Sequence, residues 1–201
     1  WGIPWLRKPE QDKARDGNEF VHFSIRAVRT AQNAKRRGFR VMSIMEHPED
    51  LGSCRCGTPA SIWQILEVRS LAVHYDVARG AAHLCAFGRT DGPKPTAFLT
   101  NLLPFLARLR LGWPVFDIQG QCHKYTGPLP SRCACGGRHS LLAGFDAEGV
   151  PRTRAAACWS SGLCQILADD IAAVFGVDRQ YFYQTKDSSE TEKKVLKLPL
   201  K

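Results

Sequence analysis

Apolar residues along this chain recur at helical spacing in some stretches and crowd into short runs in others. Phe20, Phe23, Ala27, Val28 and Ala31 return every three or four positions, which predicts a helix over 18–37 with Arg and Lys on its other side. Lys35, Arg36 and Arg37 then precede Gly38, a basic last turn followed by a glycine stop. The run from Phe39 to Met45 predicts a strand. It is expected to end at Glu46-His47-Pro48, because the residue before a proline is pushed to extended geometry and the chain turns there.

Further on, Ser61 opens a predicted short helix that continues through Leu71. Strands are expected over 81–87 and 96–100, and short helical spacing over 102–109. Residues 113–150 are rich in Gly, Pro and Cys and should be mostly irregular. Leu163, Ile166, Leu167, Ile171 and Val174 form the apolar face of a last helix over 159–175. Residues 1–17 read as a Pro-, Trp- and charge-rich lead-in, and 176–201 as a polar, Lys-rich tail without order. The order of elements implies α/β layers: a partial Rossmann-like sheet with flanking helices, interrupted by a long irregular Cys/Gly/Pro-rich insertion. No Gly-x-Gly turn follows an early strand, so the first half of a Rossmann-like domain, with its nucleotide loop, is expected upstream.

Composition narrows the function classes. The chain has 201 residues, 44% of them hydrophobic, enough for one domain of residues 18–175 with its own core. Net charge is +9, which favours an acidic partner such as nucleic acid. No apolar run reaches the length of a membrane span, and residues 1–20 are too polar for a secretory leader. Eight irregularly spaced cysteines, with Cys-x-Cys twice, read as reduced thiols or metal ligands in an intracellular protein. Beginning at Trp1, the chain reads as a piece of something longer.

Glu46-His47-Pro48, then Cys85-Ala86-Phe87-Gly88, Pro93-Lys94-Pro95-Thr96 and Thr100-Asn101, occur in an order that resembles the C-terminal half of the catalytic domain of cytosine-5 DNA methyltransferases. The chain is more closely similar to methyltransferase-like open reading frames of algal genomes, often found beside retroelements. Ala60-Ser61-Ile62-Trp63-Gln64, Arg132-Cys133 to His139, Gly144 and Leu163-Cys164 carry that resemblance over nearly all of residues 1–170. The resemblance implies a nuclear protein acting on DNA with S-adenosylmethionine. Glu46 takes the role of the base-protonating carboxylate, with His47 and Pro48 beside the base and Lys94, Thr96 and Asn101 on a second substrate loop. His47 stands where the family has Asn, and Lys94-Pro95-Thr96 replaces its Gln-x-Arg-x-Arg set. The family's nucleophilic Cys and cofactor loop lie upstream of these motifs, so this chain alone is expected to be inactive without an upstream domain of the same polyprotein.

Two other classes remain open beside the enzyme. Cys122, Cys133, Cys135 and His139 offer a Cys/His set at short spacing, the donor chemistry of a tetrahedral zinc site. Arg26, Arg29, Arg36 and Arg37 share roughly one side of the first helix and suit a phosphate backbone, the alternative being a solvated face. Together these describe a zinc-stabilised nucleic-acid-binding module without enzymatic activity. A degenerate mobile-element fragment is the third possibility. Cys85, Cys158 and Cys164 lie on apolar stretches and read as buried small residues, and Trp63 and Trp159 as core.

Overall fold

The computed structural model describes residues 8–49, 61–88, 92–109, 116–119, 122–125, 129, 133, 135–137, 139, 145, 147–150 and 159–177. Within them the fold is mixed α/β. Helix α1 (Lys8–Arg36) leads to strand β1 (Ile44–Pro48). A 3₁₀ turn (Ile62–Gln64) and α2 (Leu66–His74) precede β2 (Ala78–His83). A second 3₁₀ turn (Leu84–Phe87), β3 (Pro95–Thr100) and α3 (Leu103–Leu109) follow. The short hairpin β4 (Phe116–Gln119) and β5 (Cys122–Tyr125) precedes α4 (Ser161–Phe175).

β3 is the middle strand of a three-stranded sheet in the order β1-β3-β2, antiparallel on both sides. Ala97 and Leu99 face one way, with Met45 and Ala81, against Ile25 and Val28 of α1, Trp63, and Val68 and Leu71 of α2. Phe98 faces the other way, with Ala82, against Phe105, Leu106 and Leu109 of α3 and Leu163 of α4. The period-two alternation of a strand thus sorts β3 into two cores, each roofed by a pair of helices. Phe98 is fully buried and meets Phe105 and Trp159 edge-on at centroid distances of 5.2 and 5.8 Å. Burying such a ring contributes about 1.5–3 kcal/mol.

Polar contacts tie the layers together. The Asn101 side chain accepts from Ser43 N–H and donates to the Val41 carbonyl, both at 3.0 Å. Gln32, buried on α1, donates to Ser43 Oγ at 3.0 Å. The 41–43 segment is therefore held from both α1 and the end of β3. Arg79 reaches both oxygens of buried Glu49 at 2.9 and 3.0 Å and lies over the Trp63 ring at 4.7 Å. Arg108 of α3 pairs with Asp169 and Asp170 of α4 at 3.7 and 3.6 Å. Ser160 caps α4 by accepting from Leu163 N–H, and Gly176 ends it in the left-handed region.

Several expectations need correction. The lead-in of 1–17 does not hold from Lys8 onward, where the chain is already helical. Phe20 and Phe23, expected on the inner face of α1, are 73% and 62% exposed. Val21, Ile25, Val28 and Gln32 face inward instead. β1 starts at Ile44 and runs through Glu46 and His47 to Pro48, rather than turning there. It can do so because β1 is an edge strand, where a proline costs no ladder bond on its open side. The strand expected over 81–87 ends at His83 and tightens into the second 3₁₀ turn. The stretch 113–150 contains a hairpin. Every described strand pair is antiparallel, whereas a Rossmann-like sheet is built on parallel pairs joined by crossover helices. The expected tail from 178 onward lies outside the described residues.

Candidate metal centre

β2 delivers the chain into the turn Leu84–Phe87, and Cys85 on that turn is buried. The turn ends at Gly88, with φ +142, a conformation that L side chains rarely adopt. Cys133, Cys135 and His139 approach Cys85 from a separate loop. Gly136, with φ +66, bends that loop so that His139 comes back over the two thiols. The Nε2 of His139 lies 3.0 Å from Cys133 Sγ and 3.1 Å from Cys135 Sγ, and the two sulfurs are 3.2 Å apart. With Cys85 included, all four donor atoms lie within 4.8 Å of one another.

The electrostatics of the four differ because their surroundings differ. Burial pushes the Cys85 thiol far above its ordinary range, and hydrogen bonds with Cys133 and Cys135 push it further. Cys135 is exposed, and its thiol is lowered to about 7. The hydrogen bond with Cys133 is the main cause, followed by the Gly137 N–H, which donates to Cys135 Sγ at 3.3 Å. The cluster therefore holds one thiolate easily and keeps a second thiol protonated. A bound cation replaces those protons.

Three sulfurs and one imidazole are soft donors that suit zinc. A tetrahedral zinc with bonds of about 2.3 Å to sulfur holds neighbouring sulfurs about 3.8 Å apart. The close edges would open by roughly half an ångström, a movement within reach of an exposed glycine-flanked loop. Four protein donors leave no open position, which is the arrangement of a structural rather than a catalytic site. The Nδ1 of His139 is buried with no hydrogen-bond partner among the described residues.

Three of the four expected metal ligands meet here: Cys133, Cys135 and His139. The side chain of Cys122 lies outside the described residues; its backbone is on β5, which runs beside β2. Cys85, read from sequence as a buried filler, is the fourth donor. No local signal marked it, since Cys122 already completed a set of four in the sequence. Cys164, also read as buried, is exposed on α4. Cys54, Cys56 and Cys158 lie outside the described residues.

The other candidate residues do not form one site. Met45 and His47 point to the α1/α2 side, where His47 meets the edge of Trp63 at 6.3 Å. Glu46, one residue on from Met45, points to the α3/α4 side. It pairs in register with Phe98 and is half-buried. Pro48 is exposed, and its carbonyl accepts from Trp63 Nε1 at 2.9 Å. Lys94 precedes β3 with φ +39, four positions before Phe98, which is about 13 Å along an extended strand. Thr96 is fully buried and donates to the Lys94 carbonyl at 3.2 Å. Asn101 is engaged with the 41–43 backbone.

Arg26 on α1 and Arg37 just beyond its end are exposed, and Arg29 is half-buried. Arg36 donates to the His74 carbonyl at 2.6 Å and lies over the Tyr75 ring at 4.8 Å, so it fastens α1 to α2. S-adenosylmethionine finds no matching cradle among the described residues, since no strand is followed by a glycine turn and a parallel neighbour. No described helix is long and apolar enough to cross a membrane. Compared with protein-family models, with curated proteins and with solved structures, the chain gives no match.

Proposed function

We propose that the chain is a zinc-stapled, basic module that binds nucleic acid through its phosphate backbone and performs no chemistry of its own. The observation that carries this reading is the convergence of Cys85, Cys133, Cys135 and His139 on one point. Zinc there ties the 133–139 loop to the turn that follows β2. A net charge of +9 supports the nucleic-acid partner, with Arg37 and Arg40 exposed beyond the end of α1. The test has two arms on the full chain. Metal analysis after purification with zinc should give one equivalent, removed by chelator with loss of thermal stability. Binding to duplex DNA should weaken steeply with salt. Arg37→Gln/Arg40→Gln should reduce the slope of log K against log salt by about 2. Binding that ignores salt would sink the nucleic-acid part of the reading.

A second reading is the C-terminal part of a methyltransferase-like protein, nuclear and borne by a mobile element. What favours it is that β1, β2 and β3 share one sheet, with Pro48 opposite Thr96 in register. On that reading Glu46 meets the base, and S-adenosylmethionine binds only with an upstream Rossmann-like half. Calorimetry with S-adenosylhomocysteine on this chain and on an upstream-extended chain tests it. Silence from both would end it.

A further inference from the structure

From the surface of α1 we infer that the chain pairs with a second copy of itself through antiparallel packing of the two α1 helices. Phe20, Phe23, Ala27, Ala31 and Ala34 recur every three or four residues along α1. They lie roughly a third of a turn away from the Val21, Ile25, Val28 and Gln32 stripe that faces the sheet. Phe20 and Phe23 are the most exposed aromatic side chains described, at 73% and 62% apart from Phe39 and Phe145 in loops. The helix also overshoots the described body of the protein. From Lys8 to Phe20 no residue of described burial is buried, an overhang of about 20 Å. Gly17 sits inside that overhang with open space around it, and a helical stretch so unsupported is marginal in water.

Charge identifies the occupant. All the acidic residues of α1, Glu10, Asp12, Asp16 and Glu19, lie in the overhang, beside the bases Lys8, Lys13 and Arg15. The part from Val21 to Arg36 holds Arg26, Arg29, Lys35 and Arg36 and no acid. Lys35 pairs with Asp76 and Arg36 is held against α2, so Arg26 and Arg29 are the bases that face a partner. The helix dipole acts only within the first and last turns, so it does not account for Asp16, Glu19 and Arg26 in the interior. A parallel pair would set like charges together. A two-fold antiparallel pair sets Asp16 and Glu19 of each copy near Arg26 and Arg29 of the other, twice, by symmetry. With the axis near Phe23, Phe20 of one copy meets Ala27 of the other and Glu19 comes beside Arg26. Asp12 is already engaged by Lys8 and Arg15, while Asp16 and Glu19 have no ion pair among the described residues. The pairing is independent of the metal centre and leaves Arg37 and Arg40 outside it.

Sedimentation equilibrium of the full chain with zinc tests the inference. The wild type should weigh twice the chain mass, and Phe20→Ser/Phe23→Ser should halve it with an unchanged circular dichroism spectrum. Arg26→Glu should weaken association, and Glu19→Arg/Arg26→Glu should restore it, which a mere loss of folding would not do. A wild type that stays monomeric overturns the inference. So does a double Phe variant that stays dimeric, or a charge swap that restores nothing. A monomer that gains mass only when duplex DNA is added would give the face to nucleic acid and overturn it as well.

Discussion

Replacing Gly162 by alanine should destabilise the protein, although glycine-to-alanine changes in helices usually stabilise. Gly162 lies in the first turn of α4 against the turn that carries Cys85. A Cβ there would stand 2.0 Å from the Phe87 carbonyl oxygen and 3.0 Å from its carbonyl carbon. Real Cβ atoms essentially never come within 3.0 Å of such neighbours, so helix and turn must part by about 1 Å. The obstruction is backbone and cannot rotate away. Overpacking of this kind costs about 1–3 kcal/mol. The helical preference of alanine returns at most about 1 kcal/mol, and less in a first turn. The net loss is about 1–2 kcal/mol, or roughly 2–8 °C in Tm for a chain of this size. Thermal melts followed by circular dichroism, with zinc and with chelator, measure it. Gly17→Ala is the control: nothing lies within 4 Å of its Cβ, so it should stabilise by up to about 1 kcal/mol. A Gly162→Ala protein as stable as wild type would refute the close approach of α4 to the 84–87 turn.

Further outcomes follow from the same geometry. Cys85→Ser should lower zinc affinity by more than about 100-fold in a chelator competition assay, since loss of an outer-shell partner alone costs about 10–100-fold. Exposed Cys164→Ser should change nothing. In the metal-free protein, iodoacetamide should modify Cys135 with a rate that rises as pH passes upward through about 7 and falls away below it, because the thiolate is the reactive form. A midpoint near the ordinary value of 9.0 would contradict the Cys133 and Gly137 hydrogen bonds as its cause. Zinc should abolish the reaction, and Cys85 should stay unmodified throughout. Asn101→Ala strands the Ser43 N–H and the Val41 carbonyl, and urea unfolding should show a loss of about 1–3 kcal/mol.

β3 and α3 could be read from sequence almost to the residue, because a short apolar run flanked by Pro95 and Asn101 admits little else. α1 was placed but turned the wrong way. Its sequence carries two apolar stripes, and periodicity cannot say which one meets the sheet. Phe20 and Phe23 look more like core than Val21 and Gln32 do. Glu46-His47-Pro48 reads as a turn because proline usually ends a strand, and nothing local announces that β1 is an edge. Of the metal centre, the three ligands close in sequence were legible. Cys85 was not, because a cysteine beside Leu84 and Phe87 has the same neighbours whether it fills space or binds an ion, and only the tertiary fold brings the 133–139 loop to it.

The order β1-β3-β2 sets when the sheet can form during synthesis. Among the described residues, β1 and β2 pair only with β3 and not with each other. The two outer strands, with α1 and α2, must therefore leave the ribosome and wait, without a ladder, until residue 100 has emerged. Until then the exposed edges of 44–48 and 78–83 are held only by helix packing on one side. A nascent chain stalled before Pro95 has none of the sheet described here, and one released after α3 has all three of its strands.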